Sequence, residues 1–191
     1  MTAGQVSGKQ RQRDPRMRDR IIAAALGLIA ERGLAGLTHR GVAAAAGVSL
    51  SSTTYYFATL DDLIHLALQR CLDQQTDYQR DLRERLADAG REELLTALTD
   101  MAMDCFGPHR NDVLIQYELC MAALRRPELR TTASLFAERT ITTLTQFTDP
   151  ATATVLYDLT MGLVLRGLAA QHPPDRATVQ NELSAAFTPQ K

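Results

Sequence analysis

Apolar residues spaced three and four positions apart, cut at short intervals by Gly or Pro, run through most of this 191-residue chain. That spacing lines one face of an α-helix. Gly and Pro mark where a helix stops, one by adopting backbone angles that other residues avoid, the other by lacking an N–H. Ala and Leu dominate, and β-branched residues rarely alternate with polar ones. The expected class is all-α, with about nine helices, no convincing strand and no internal repeat.

The boundaries follow from local chemistry. Asp14-Pro15 supplies a capping carboxylate followed by a residue suited to the first helical position, so a helix opens at 15. It presents Ile21, Ile22, Ala25, Leu28 and Ile29 on one face and closes at Gly33. Thr38 caps a short second helix, Gly47 ends it, and Ser49 caps a third. A long amphipathic helix is expected over 61–88. Others are expected over 92–106, 111–124, 128–147, 150–171 and 176–187, separated by Gly107-Pro108, Arg126-Pro127, Asp149-Pro150 and His172-Pro173-Pro174.

Charge divides the chain. Residues 1–60 carry eight Lys or Arg against three Asp or Glu, and residues 61–191 carry thirteen against nineteen. A basic head on an acidic body suits a polyanionic partner for the head; a solvated basic tail is the plainer reading. The expected organisation is a disordered basic arm over 1–14, a DNA-binding unit over 15–62 and a larger helical unit over 63–191.

The stretch GVSLSSTTYYF, residues 47–57, holds seven hydroxyl side chains. Such residues compete with their own backbone and are poor helix formers, so a purely structural helix gains little from them. With small Ala43–Ala46 before it, Gly47 at the turn, Val48 to fill the angle and Ser49 as a cap, the segment reads as a helix–turn–helix. Its second helix would lie in a major groove, where short hydroxyl side chains allow close approach and meet base edges and phosphates. A polar loop and a glycosylated surface segment are the alternatives, and the framing Val48 and Phe57 argue against both.

On residues 33–68, GLAGLTHRGVAAAAGVSLSSTTYYFATLDDLIHLAL, together with the helix before them, the chain resembles the tetracycline-repressor (TetR) family of bacterial transcriptional regulators. The combination T-x-R-x-V-A-x-x-A-G-V-S followed by an aromatic pair and Phe carries the resemblance, which beyond residue 70 is one of layout only. It implies a homodimer on double-stranded DNA, at a near-palindromic operator, usually acting as a repressor that a small-molecule effector releases. By position, it implies DNA contacts from Thr38, His39, Arg40, Ser49, Leu50, Ser51, Ser52, Thr54, Tyr55 and Tyr56. The chain departs from the family pattern at Ser51, where many members have Gly, at Thr54, where many have Tyr, and at Leu60, where a Lys often clamps phosphate. Contacts from the basic arm, Lys9 to Arg20, would compensate for the last.

Val113–Leu124 is apolar on every side, so it is expected to be buried. With its neighbours it suggests an adaptable cavity walled by Met101, Cys105, Phe106, Gln116, Tyr117, Cys120, Phe136 and Phe147; a filled core is the alternative. Leu156, Leu159, Leu163, Val164, Val179, Leu183 and Phe187 are expected at a dimer interface, with ordinary packing in one chain as the alternative. The four histidines and three cysteines lack metal-ligand spacing, His109 with Asp112 coming nearest. No catalytic constellation or cofactor loop is found, so neither enzyme activity nor a cofactor is expected. The amino-terminal segment lacks the apolar stretch of a signal peptide, apolar runs are short of a membrane span, and a cytoplasmic location is expected. A helical enzyme or carrier without DNA binding, and an interaction module using the basic head on protein or membrane, are the rival readings.

Overall fold

The computed structural model describes residues 14–87 and 90–187, and every regular element among them is helical. The expected arm therefore lies outside the described residues, apart from Asp14. In chain order the helices are α1 (Pro15–Arg32), α2 (His39–Ala46), α3 (Leu50–Tyr56), α4 (Leu60–Arg85), α5 (Arg91–Asp104), α6 (Arg110–Ala123), α7 (Arg130–Leu144), α8 (Pro150–Ala169) and α9 (Arg176–Ala185). Single 3-10 turns stand at Leu34–Gly36 and Pro127–Leu129.

The caps anticipated from sequence form. Asp14, Thr38, Ser49, Asp149 and Asp175 each accept a hydrogen bond from a first-turn amide of the helix they open. Thr59 and Asp62 add a reciprocal pair at the start of α4: the Asp62 amide donates to the Thr59 hydroxyl at 3.1 Å, and the Thr59 amide to the Asp62 carboxylate at 3.0 Å. That exchange satisfies two amides that a helix start leaves bare.

Apolar side chains gather in two cores. The first joins Ile21, Ile22, Leu28 and Ile29 of α1 to Val42, Phe57 and the first half of α4. It also takes in Ile115, Leu119 and Ala123 of α6, with Leu129 and Phe136. The division drawn at 62/63 thus falls inside α4 and inside this core. The second core joins α5, α8 and α9 around Leu94, Leu98, Leu156, Leu163, Val179 and Leu183.

The burial pattern corrects the expected dimer residues. Leu156, Leu163, Val164, Val179 and Leu183 are all buried within one chain, and Leu159 and Phe187 pack partly buried against them. The reason is geometric: α9 lies on α5 while α8 packs on α7 as well as on α5 and α9, and these contacts consume their most apolar faces. Among the residues that α8 leaves outward, Val155, Asp158, Gly162 and Leu165 form a stripe, with Thr154 and Arg166 exposed beside it.

Hydrogen bonds from Thr152 hold the exposed Asp149 carboxyl below its ordinary pKa of 3.8, and bonds from Thr178 do the same for Asp175. A carboxylate lowered in the folded state stabilises the fold fully above its ordinary value, and that contribution is lost as pH falls through the lowered one. Asn caps at 149 and 175 should therefore weaken the protein near neutrality, and the gap to the parent should narrow progressively as pH falls below 3.8. Thermal melts of the parent and the double variant across that range measure it.

Candidate functional site

The turn between α2 and α3 is built on Gly47, at φ 61° and ψ 41°, a left-handed geometry that costs a residue with a Cβ about 1–2 kcal/mol. Around it the Gly47 amide donates to the Ala44 carbonyl at 3.2 Å, and the Val48 amide to the Ala43 carbonyl at 3.0 Å. The Arg20 guanidinium of α1 donates to the Gly47 carbonyl at 3.0 Å and braces the turn from outside. Thr53 and Phe57, 0% and 1% exposed, root α3 in the first core. With those two inward, α3 must turn Leu50, Ser51, Thr54 and Tyr55 to solvent.

Much of the hydroxyl chemistry of α3 is spent locally. Ser49 Oγ accepts from the Ser52 amide at 3.0 Å and lies 2.9 Å and 2.8 Å from the hydroxyls of Ser51 and Ser52. Thr54 donates back to the Leu50 and Ser51 carbonyls at 3.2 Å, leaving its lone pairs to accept. The two tyrosines differ. Tyr55 is half-exposed and meets the Tyr56 ring edge-on. Tyr56 packs against the core, and its hydroxyl accepts from the Asp14 amide at 2.8 Å, fastening the start of α1. On α2, Arg40 is exposed. Thr38 Oγ1 caps the helix through the Gly41 amide, and His39 is half-buried with its Nδ1 enclosed. Leu60, at the position of the missing Lys, packs partly buried on the first core.

A cavity of about 280 Å³ lies between α4, α5, α6, α7 and α8. Of the eight residues expected there, Met101, Cys105, Gln116 and Phe136 line it. The other four are placed elsewhere. The Tyr117 hydroxyl donates to the Met161 carbonyl at 2.5 Å and ties α6 to α8. Phe106 packs so closely on Gly167 that a Cβ there would sit 2.5 Å from its ring. Phe147 packs on the second core, and Cys120 stands outside the wall.

Sequence reasoning missed the α4 and α8 walls: Cys71, Gln75, Tyr78, Gln79 and Leu82 from one, Tyr157, Thr160, Met161 and Val164 from the other. One signal was available. Gln75 and Gln79 interrupt the otherwise apolar stripe of α4, and Gln79 is only 5% exposed. Burial pushes the Cys71 thiol up to about 12 and the Cys105 thiol up to about 11, so both stay protonated and unreactive near neutral pH. It likewise holds the Tyr78 and Tyr157 hydroxyls neutral, at about 12. His109 Nδ1 and Asp112 Oδ2 stand 3.2 Å apart at the wall. Among the described residues no group of three or more potential ligands is placed to hold a metal.

A polar contact ties α6 to the head. Glu118, two residues along α6 from Gln116, accepts from the Leu34 amide at 3.0 Å. The bare Cα of Gly33, at φ 68°, makes room: a Cβ there would lie 2.8 Å from the carboxylate.

A turn held by positive-φ glycine, an outward-facing α3 and a cavity behind them agree with what the chain matches. A model of the tetR family of bacterial regulatory proteins covers residues 21–67, and a model of the tetracyclin repressor-like C-terminal domain covers 89–189. The chain belongs to the TetR family. Over 122 residues it is 33% identical to the HTH-type transcriptional regulator CymR of Pseudomonas putida, a match covering 63% of this chain and 58% of that regulator's own length. It is similar in structure to the TetR-family member SCO1917 of Streptomyces coelicolor A3, at a TM-score of 0.75 and 39% identity, over 90% of this chain and 98% of that one. The multidrug binding protein EbrR in complex with ethidium gives a TM-score of 0.74 at 38% identity, over 91% and 99% of the two chains. As a TetR-family protein the chain is a DNA-binding transcriptional regulator, not an enzyme. Among its described residues, no helix is long and apolar enough to cross a membrane.

Proposed function

We propose that two copies of the chain bind a near-palindromic operator and repress the adjoining gene until a small ring-bearing molecule enters the cavity. The observation that carries this reading is the outward face of α3. Leu50 and Tyr55 are 44% and 50% exposed there, on a helix otherwise anchored by buried Thr53 and Phe57. Large apolar groups left in water on a rigid support suit a groove that covers them. Leu50 would meet a thymine methyl. Thr54, whose proton is already given to its own backbone, would accept from a base amino group. Arg40, Thr38 and Tyr55 would hold phosphates or base edges beside it, and Tyr56 retains a proton to donate.

One such helix makes too few contacts for useful specificity, so the reading needs a second copy. The stripe of Val155, Asp158, Gly162 and Leu165 on α8 is the face for it. Val155 and Leu165 are 46% and 50% exposed, and nothing lies within 4 Å of a Cβ built on Gly162. Two such faces would close on each other and set two α3 helices one DNA turn apart, about 34–36 Å. EbrR binds ethidium, and by analogy of ring shape alone, not of charge, the cavity here would take an aromatic effector. Wall movement in α6 would reach the head through Glu118 and shift the population away from the DNA-competent form.

A gel shift with duplex from the protein's own promoter region, with and without competitor DNA, tests the reading. Retardation that survives competitor is expected, and Arg40→Ala should weaken it about tenfold or more. Absence of duplex affinity would favour a carrier. On the dimer, Leu165→Arg should run as a monomer by sedimentation and lose tight operator binding; an unchanged dimer would place the interface elsewhere.

A further inference from the structure

Two amide side chains in the cavity wall are left incomplete. The Gln75 Nε2 donates to the Phe136 carbonyl at 3.2 Å and to Thr140 Oγ1 at 2.9 Å. A carbonyl accepts only, so this pairing fixes which way the amide faces. Its Oε1 is consequently an acceptor, buried and without a partner among the described residues. Gln116 Nε2, on the facing helix α6, is likewise buried and unpartnered, and with no bond to fix it that amide can present either its N–H or its oxygen to a guest. Neighbouring Gln79 shows the contrast: its Nε2 reaches Thr140 Oγ1 at 3.0 Å, and its Oε1 accepts from Thr143 at 3.4 Å. Buried polar atoms left bare are costly, and natural structures rarely keep them without a partner.

Much of the remaining wall is apolar or ring-bearing, with Tyr78, Phe136 and Tyr157 around Met101 and Met161, and its other polar side chains include Gln74, His109 and Thr160. Its one carboxylate, Asp112, is exposed and already beside His109, so the wall offers no buried counter-charge to a cation. We propose that the cavity selects a neutral aromatic molecule carrying an N–H or O–H donor for Gln75 and a second polar atom for the Gln116 amide, as an aromatic lactam does. The proposal rests on reading the cavity as an effector site. It sets the ligand class by the Gln75 oxygen and the Gln116 amide and excludes pure hydrocarbons and bare cations of similar size.

Calorimetric titration of the full chain with 2-quinolinone, N-methyl-2-quinolinone and proflavin tests it. The first offers donor and acceptor, the second has lost the donor, and the third is a planar cation. 2-Quinolinone should bind about tenfold tighter than its N-methyl form. Gln75→Met should abolish that preference while sparing affinity for the N-methyl form, and Gln116→Met should weaken 2-quinolinone. Equal affinity for the two quinolinones in the parent protein overturns the proposal, and so does a preference that survives Gln75→Met. Tighter binding of proflavin, or no heat with either quinolinone, also overturns it. The wild-type comparison stands even where a variant fails to fold. No DNA enters these titrations, so failure of operator release leaves the ligand class standing, and loss of the preference leaves operator reading intact.

Discussion

Helix α6 belongs to both halves of the molecule, and the rest of the architecture depends on that sharing. Ile115, Leu119 and Ala123 sit in the core that carries α1–α3, while Val113 joins the core beneath α8 and α9. Gln116 faces the cavity and Glu118 grips the Leu34 amide. A helix is stiff over 14 residues, so a displacement of the wall at 116 cannot stop short of 118. Ion pairs from Arg126 to Asp61, 3.2 Å apart, and from Arg70 to Asp19, 3.7 Å apart, follow the same seam. They are exposed and contribute little energy. The carboxylate–amide contact over a glycine built to admit it is the more specific link.

The head meets a different demand. Reading a groove needs side chains in water on a support that does not yield. Thr53, Phe57 and the Gly47 turn supply the support, and Arg20 and Tyr56 lash it to α1. The serine and threonine hydroxyls serve two purposes at once. Most complete the cap and first turn of a helix only seven residues long, and those left outward keep acceptor capacity for a partner.

Helix spacing and the helix–turn–helix were legible because both are written in neighbouring residues. Gly47, Ser49 and Thr38 act over at most four positions, and each cap and turn forms where local chemistry places it. The cavity was legible only on α6 and its flanks, where apolar residues crowd every side. Its other walls depend on pairs far apart in the chain. Gln75 and Thr140 are separated by 65 residues, and Glu118 and Leu34 by 84. No local pattern announces them. The residues expected between two copies are mostly buried in one chain for a related reason: apolar faces on α8 and α9 say that something covers them, and α5 and α7 of the same chain do so first. Tyr56 was legible as a long polar side chain, yet its hydroxyl turns toward Asp14.

Amide hydrogen exchange along α6, with and without operator duplex, tests most directly whether one helix carries both halves. Coupling between two sites is reciprocal, so DNA on the head must be felt at the cavity wall. Exchange at Gln116–Leu119 should slow when DNA binds the parent protein, and Glu118→Ala should lose most of that slowing while still folding. Exchange in α6 indifferent to DNA, or equally slowed without the Glu118 carboxylate, would contradict the account.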